Sequence, residues 1–213
     1  MPVICLLKTN RLPTDTDILI SSLPFGSAEQ ERLLSMKNTE AQRLSLCAWL
    51  SLFKLMDHCG YADLSLSVLR TPMRKPYFKD IPVCFSVSHA DGLACSVVSH
   101  KNVGIDLEWL DSSRSISAIS KRFFTDAEQK LLRESTDPIL EFYSIWTKKE
   151  AYSKLNGKGL VDVCSASIPD GVTFCQYLIE LNDKYGILSV CCESDGDVSI
   201  YDPYDDIIIK KLL

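Results

Sequence analysis

Apolar residues fall in short blocks separated by polar and turn-forming stretches, and the spacing inside the blocks changes along the chain. An extended apolar run at about residues 2–7 predicts an N-terminal strand. From 27 to 58 the spacing becomes helical, with a break near Asn38; Leu44, Cys47, Ala48, Leu52 and Leu55 recur along it. A strand is predicted around 64–70, then a turn-rich basic segment Thr71–Lys79, then strands at 83–88, 93–99 and 103–108. Helices follow at about 114–123, 125–134 and 138–155. The last of these starts at an Asp137 cap with Pro138 behind it and stops at Gly157. The remainder, 160–210, reads as strands with turns at Pro169-Asp170-Gly171 and Ser194-Asp195-Gly196.

The two halves echo one another. Gly92–Val98 and Gly186–Cys192 are both apolar runs behind a glycine read as a turn residue, and each has a long helix upstream. This predicts an α+β fold of two similar α/β lobes, 1–102 and 103–213. Charge divides at the same place: 11 Lys/Arg against 9 Asp/Glu in the first half, 12 against 19 in the second. A basic lobe could meet phosphates while an acidic one supplies carboxylates, or the asymmetry is ordinary surface charge.

The remaining composition excludes more than it selects. With 213 residues, 46% apolar and 24% charged, the chain can bury a core and is not disordered. A formal charge of −5 argues against a nucleic-acid partner. No apolar run approaches the ~20 residues of a membrane span, and MPVICLLKTNRLP does not resemble a secretory leader. Nine cysteines, odd in number and without a CxxC pair, read as reduced buried thiols of a cytoplasmic protein, with zinc ligation or disulfides as the alternatives.

Four stretches could carry chemistry. In Val103-Gly104-Ile105-Asp106-Leu107-Glu108, strand alternation puts Val103, Ile105 and Leu107 on one face. Asp106 and Glu108 then lie side by side on the other, with a glycine leaving room beside them. Such a pair either holds a cation or is a solvated edge. In the helix ending at Gly157, Trp146, Glu150 and Lys154 stack at four-residue spacing, as a surface ion pair or as an acid and base beside a buried stripe. Ser88-His89 closes a strand before Asp91-Gly92, where hydroxyl, backbone N–H and imidazole suit a phosphate or are simply structural. Arg70, Arg74, Lys75 and Lys79 make a proline-stiffened basic loop: a solvated turn or a phosphate clamp. Glu128 in Thr125-Asp126-Ala127-Glu128 fits a capping box. No G-x-S-x-G elbow, Walker loop or G-x-G-x-x-G is present.

In order and spacing, Lys75-Pro76, Val87-Ser88-His89, Gly104-Ile105-Asp106-Leu107-Glu108, Arg122-Phe123-Phe124 with Glu128, Trp146-x-x-Lys149-Glu150-Ala151-x-x-Lys154 and Gly157-x-Gly159-Leu160 resemble the 4′-phosphopantetheinyl transferase superfamily. The resemblance covers about residues 40–160 and is narrower to the longer single-chain type, whose lobes form an intramolecular pseudo-dimer. It implies transfer of the phosphopantetheine arm of coenzyme A to a serine of an apo acyl or peptidyl carrier protein, releasing adenosine 3′,5′-bisphosphate. Asp106, Glu108 and Glu150 correspond to the acids around Mg²⁺, for which Mn²⁺ can substitute. Lys154, Ser88 and His89 correspond to phosphate contacts, Lys75 to a contact at the nucleotide end, and Arg43 to a base near the 3′-phosphate. Glu150 is the preferred general base, with Glu128 or a metal-bound water as substitutes, and Lys154 and His89 steady the leaving group. Arg74 stands where glycine is common and is counted with the coenzyme contacts; Ala90 replaces a common Ser or Thr.

The carrier is expected to dock near Arg114, Ile116, Ile119, Lys121 and Arg122, a segment that alternatively is a plain amphipathic surface helix. Two lobes in one chain favour a monomer. Rival readings are a Mg²⁺-dependent phosphohydrolase or nucleotidyl transferase using the same acids, and a non-catalytic coenzyme- or carrier-binding module.

Overall fold

The computed structural model describes residues 1–24, 26–61, 67–163, 171–193 and 197–212. The first half runs β1 (Val3–Lys8), a single 3-10 turn (Thr9–Arg11), α1 (Asp17–Ser21), α2 (Ser27–Leu34) and α3 (Thr39–His58). It continues with β2 (Val68–Arg70), β3 (Pro76–Phe78), β4 (Cys84–Ala90) and β5 (Leu93–Ser99). The second half runs β6 (Val103–Trp109), α4 (Ile116–Phe123), α5 (Asp126–Glu134), α6 (Pro138–Asn156) and α7 (Leu160–Val163). It closes with β7 (Thr173–Leu181), β8 (Lys184–Cys192), β9 (Ser199–Tyr201) and β10 (Ile208–Lys211).

Helix ends follow local chemistry. Asn38, where the helical spacing breaks, caps α3 by accepting the Ala41 N–H at 2.9 Å. Asp137 caps α6 by accepting the Leu140 N–H at 3.0 Å, and Gly157 ends it in the left-handed region at φ 65°. Thr125 and Glu128 form the reciprocal capping box of α5. The tail departs from the all-strand expectation in the short helix α7. Residues 64–66, Cys164, Pro169-Asp170 and Ser194–Gly196 lie outside the described residues.

Two four-stranded sheets carry the fold, ordered β4-β5-β1-β9 and β10-β7-β8-β6. Each contains the same unit: a strand, a long helix, then a hairpin whose second strand lies in the middle, antiparallel to the first. β1, α3, β4 and β5 make one unit; β6, α6, β7 and β8 make the other. The echo between Gly92–Val98 and Gly186–Cys192 falls on the two central strands, β5 and β8. Both runs are buried from Leu93 and Gly186 onward, serines included, because both faces are covered. Gly186, however, is no turn residue: it lies within β8, where a Cβ would sit 2.6 Å from the Trp109 ring. The turn of that hairpin is Asn182-Asp183, both at positive φ, as a two-residue hairpin loop requires.

α3 packs on the outer face of the first sheet, burying Leu46, Trp49, Leu52 and Met56 against Leu7, Phe85 and Val98. α6 packs on the outer face of the second, burying Phe142, Trp146 and Leu155 against Ile187 and Cys191. The inner faces of both sheets meet in a third core that includes Leu6, Val97, Ile105, Ile179 and Val190. Each such side chain contributes about 1.5–3 kcal/mol on full burial. The C-terminal segment belongs to both units: β9 adds parallel to β1, and β10 adds antiparallel to β7. Among the described residues no helix is long and apolar enough to cross a membrane.

Candidate active site at the seam between the sheets

β4 and β6 are the outermost strands of their sheets and lie side by side without a backbone ladder. An edge strand must satisfy its N–H groups some other way. Here serines on β4 do it: Ser86 Oγ accepts the Ile105 N–H at 3.2 Å and Ser88 Oγ accepts the Leu107 N–H at 3.3 Å. Ser86 stands two residues before Ser88, so strand alternation puts both on one side, and that spacing is the signal the sequence offers for it.

On β6, Val103, Ile105 and Leu107 enter the inner core, and Asp106 and Glu108 face α6. The room at Gly104 is not beside the carboxylates, as expected. It is filled by α6: a Cβ there would overlap the Ala151 carbonyl oxygen and lie 2.6 Å from the Leu155 nitrogen. The glycine thus lets the helix backbone touch the strand, and that contact brings Trp146, Glu150 and Lys154 over the two acids.

Trp146 Nε1 donates to Glu108 Oε1 at 3.0 Å. Lys154 Nζ donates to Asp106 Oδ1 and to Ser88 Oγ, both at 2.8 Å, and Ser88 Oγ donates to Asp106 Oδ1 at 3.0 Å. Glu150 lies between these anchors on α6 and has no hydrogen bond or ion pair of its own among the described residues. It lines, with Ser88, His89, Asp106, Glu108, Arg114 and Lys154, a cavity of about 710 Å³.

The electrostatics are those of acids held together. Desolvation, and next the charge of Asp106, raise the pKa of both Glu108 and Glu150 above the usual carboxyl range. For Lys154, burial works against the ammonium, but the Asp106 charge and hydrogen bond outweigh it and the pKa is raised. His89, exposed at the strand end, is shifted down by partial desolvation and then by Lys154.

A divalent cation suits this donor set. Asp106 is 5% exposed, and its Oδ2 is buried without a hydrogen-bond partner among the described residues. The available donors are hard carboxylate oxygens. The acids are not yet gathered as ligands: among the described residues no three His, Cys, Asp or Glu side chains form a ready metal cluster. Two of them are instead paired with cations, Asp106 with Lys154 and Glu108 with Arg114.

A smaller groove of about 230 Å³ adjoins the cavity through Val87 and Lys154, with Arg74, Lys75 and Lys158 on its walls. Arg74 sits at φ 66°, which explains why a glycine would be at home there. Lys75 lines the groove with its stem, while its ammonium donates to the Leu155 carbonyl at 2.7 Å. Burial holds its pKa below the usual lysine value.

Two residues counted with the site from sequence line neither the cavity nor the adjoining groove. Arg43 does not line the cavity: its guanidinium clamps carbonyls of the segment after β1, at 2.8 Å from Pro13 O and 3.4 Å from Thr9 O. Glu128 does not line it either. Its carboxylate accepts the Thr125 N–H at 2.7 Å and pairs at 2.9 Å with Lys149, which is 3% exposed. Glu128→Ala should therefore cost about 1–3 kcal/mol through the lost cap and ion pair, read as a lower melting temperature. Any catalytic turnover should stay at the wild-type rate at a temperature where both are folded.

Of the docking segment, Lys121 and Arg122 are exposed, but Ile116 and Ile119 pack half-buried against the α6 cluster and Arg114 turns inward to Glu108.

Residues 102–192 match the model of the 4′-phosphopantetheinyl transferase superfamily. That span holds Asp106, Glu108, Glu150 and Lys154. The chain is 37% identical over 92 residues to the 4′-phosphopantetheinyl transferase HetI of Nostoc sp., covering 42% of this chain and 39% of that protein. It is 33% identical over 90 residues to the 4′-phosphopantetheinyl transferase Sfp of Bacillus subtilis, covering 40% and 39%. It is 30% identical over 120 residues to a putative 4′-phosphopantetheinyl transferase of Haemophilus influenzae, covering 54% and 51%. The matched region spans about two-fifths to half of the length of these relatives.

Proposed function

We propose that this chain, similar over residues 102–192 to the 4′-phosphopantetheinyl transferases, is itself one. It would move the phosphopantetheine arm of coenzyme A onto a serine of an apo acyl or peptidyl carrier protein. The observation that carries this reading is the meeting of Asp106, Glu108 and Glu150 with Lys154, Ser88 and His89 on one cavity built from both halves of the chain.

Asp106, Glu108 and Glu150 would hold Mg²⁺ or Mn²⁺, which when bound neutralises charge on the pyrophosphate. Lys154, already cationic and fixed on Ser88, faces the oxygens of the leaving bisphosphate. His89 stands at the exposed lip, where a ring N–H reaches an anion. Glu150 is the base. In the transfer step the carrier serine oxygen attacks the β-phosphorus, the bond from that phosphorus to the bridging oxygen breaks, and the serine proton passes to Glu150, directly or through a water. Glu150 suits this because its carboxylate lies on the cavity with no hydrogen bond or ion pair of its own among the described residues, which leaves an oxygen to accept the proton. The adjoining groove of Arg74, Lys75 and Lys158 would take the nucleotide end.

The exposed Lys121 and Arg122 on α4 would meet an acidic carrier. Reversing both charges should raise the carrier KM about tenfold and leave coenzyme affinity unchanged; an unaltered KM removes α4 from the docking face. Since a single chain supplies both walls of the cavity, one copy suffices for the reaction.

The decisive experiment is incubation with coenzyme A, Mg²⁺ and a panel of apo carrier proteins, read by intact-mass spectrometry. At least one carrier should gain the phosphopantetheine mass. Release of phosphate or nucleotide from coenzyme A without any carrier modification would overturn the proposal.

A further inference from the structure

Arg114 occupies a position that the transfer chemistry leaves unexplained. It precedes α4, yet its guanidinium turns back to the cavity and pairs with Glu108 Oε2 at 3.4 Å. It is braced there by aromatic faces: the guanidinium carbon lies 5.1 Å from the centre of the Trp146 ring and 5.9 Å from those of Phe142 and Tyr143. Trp146 itself donates to the other oxygen of the same carboxylate. Glu108 is thus held from both sides, one oxygen by an indole N–H and one by a cation. Asp106 has its own cation in Lys154.

Two of the three acids thus already carry a cation, Lys154 on Asp106 and Arg114 on Glu108, while Asp91 and Asp111 also line the cavity. A divalent ion entering alone meets the repulsion of Lys154 and Arg114 at the two carboxylates they hold. Entering with a doubly ionised pyrophosphate, it adds no net charge, and the phosphate oxygens offer both side chains a second anion. We infer that Arg114 is the resident counter-charge of Glu108, held on the Trp146 face, and that it makes divalent-cation binding depend on the coenzyme. Lys154 cannot be assigned this role separately, because it also faces the phosphates. Arg114 acts through Glu108 and is a positioning residue. The inference rests on the proposed function.

The test is calorimetric titration of Mn²⁺ into the full chain, with and without coenzyme A, for wild type, Arg114→Gln and Arg114→Lys. Coenzyme A should tighten Mn²⁺ binding to wild type by about tenfold or more. Arg114→Gln should bind Mn²⁺ alone about three- to tenfold more tightly, and the effect of coenzyme A should shrink by the same factor. Arg114→Lys keeps the charge and should stay within about twofold of wild type. In a Glu108→Gln background, Arg114→Gln should change Mn²⁺ affinity by a different factor than in wild type, and that coupling isolates this pair from any general loosening of the fold.

Unchanged or weaker Mn²⁺ binding by Arg114→Gln overturns the counter-charge role. If wild type binds no Mn²⁺ even with coenzyme A, the proposed function itself falls. A purely carrier-docking Arg114 would move the carrier KM and leave every Mn²⁺ titration as in wild type, which also overturns the inference.

Discussion

Glu150→Gln is expected to lower phosphopantetheine transfer by about 10²–10⁴-fold, because the side chain loses both its charge and its proton-accepting oxygen while keeping its shape. Single-turnover formation of holo carrier, followed by intact mass, reads this directly; turnover within a few-fold of wild type would remove Glu150 from the role of base.

The same substitution should stabilise the metal-free protein. The folded-state pKa of Glu150 is raised, first by desolvation and then by Asp106. The folded state therefore holds the carboxyl proton more tightly than the unfolded chain does. As pH rises through the folded pKa the ionised group destabilises the fold, and glutamine does not. Melting temperatures of the metal-free proteins should thus favour Glu150→Gln at neutral pH, by about 2–4 °C for each kcal/mol of strain relieved. The difference should vanish below the ordinary glutamate pKa, where both side chains are neutral. Activity lost and stability gained by one substitution is the signature of acids held together for a ligand rather than for the fold.

The second large effect is expected at Gly104. A methyl group there meets main chain, the Ala151 carbonyl and the Leu155 nitrogen, and neither can turn aside as a side-chain tip would. Gly104→Ala must push α6 off β6, opening the packing around Ala151, Leu155 and Cys191. The cost is about 3 kcal/mol or more, at the top of the range for overpacking, and the melting temperature should fall by about 6–12 °C. Protein that still folds should also lose transfer activity, since Trp146, Glu150 and Lys154 all reach the acids from the displaced helix. A variant that melts like wild type would show that the helix does not lie against Gly104.

Gly104 also shows how sequence and structure divided the work. The alternation of Val103, Ile105 and Leu107 against Asp106 and Glu108 was plain in the sequence, because strand geometry alone imposes it. So were the caps at Asn38, Thr125 and Asp137, the stop at Gly157, and the four-residue stacking of Trp146, Glu150 and Lys154. Each is settled within a few residues of chain. The Asn182-Asp183 turn is equally local, whereas Gly186 has its part in the strand that follows, where it admits the Trp109 ring.

What alternation could not say is what stands opposite Gly104, since the answer is a helix nearly fifty residues further on. Arg43, Glu128 and Arg114 make the same point for charged side chains. Neighbours in sequence do not reveal their long-range partners: carbonyls of the segment after β1 for Arg43, the buried Lys149 for Glu128, and the Glu108 carboxylate for Arg114. Ser86 and Ser88 found their task only when two sheet edges came together, and β9 and β10 their sheets only when the tail crossed the molecule. Periodicity and capping depend on interactions along the chain and are written in it. The partners of a buried charge or an open strand edge depend on which surfaces the cores press together, and only the packed structure decides that.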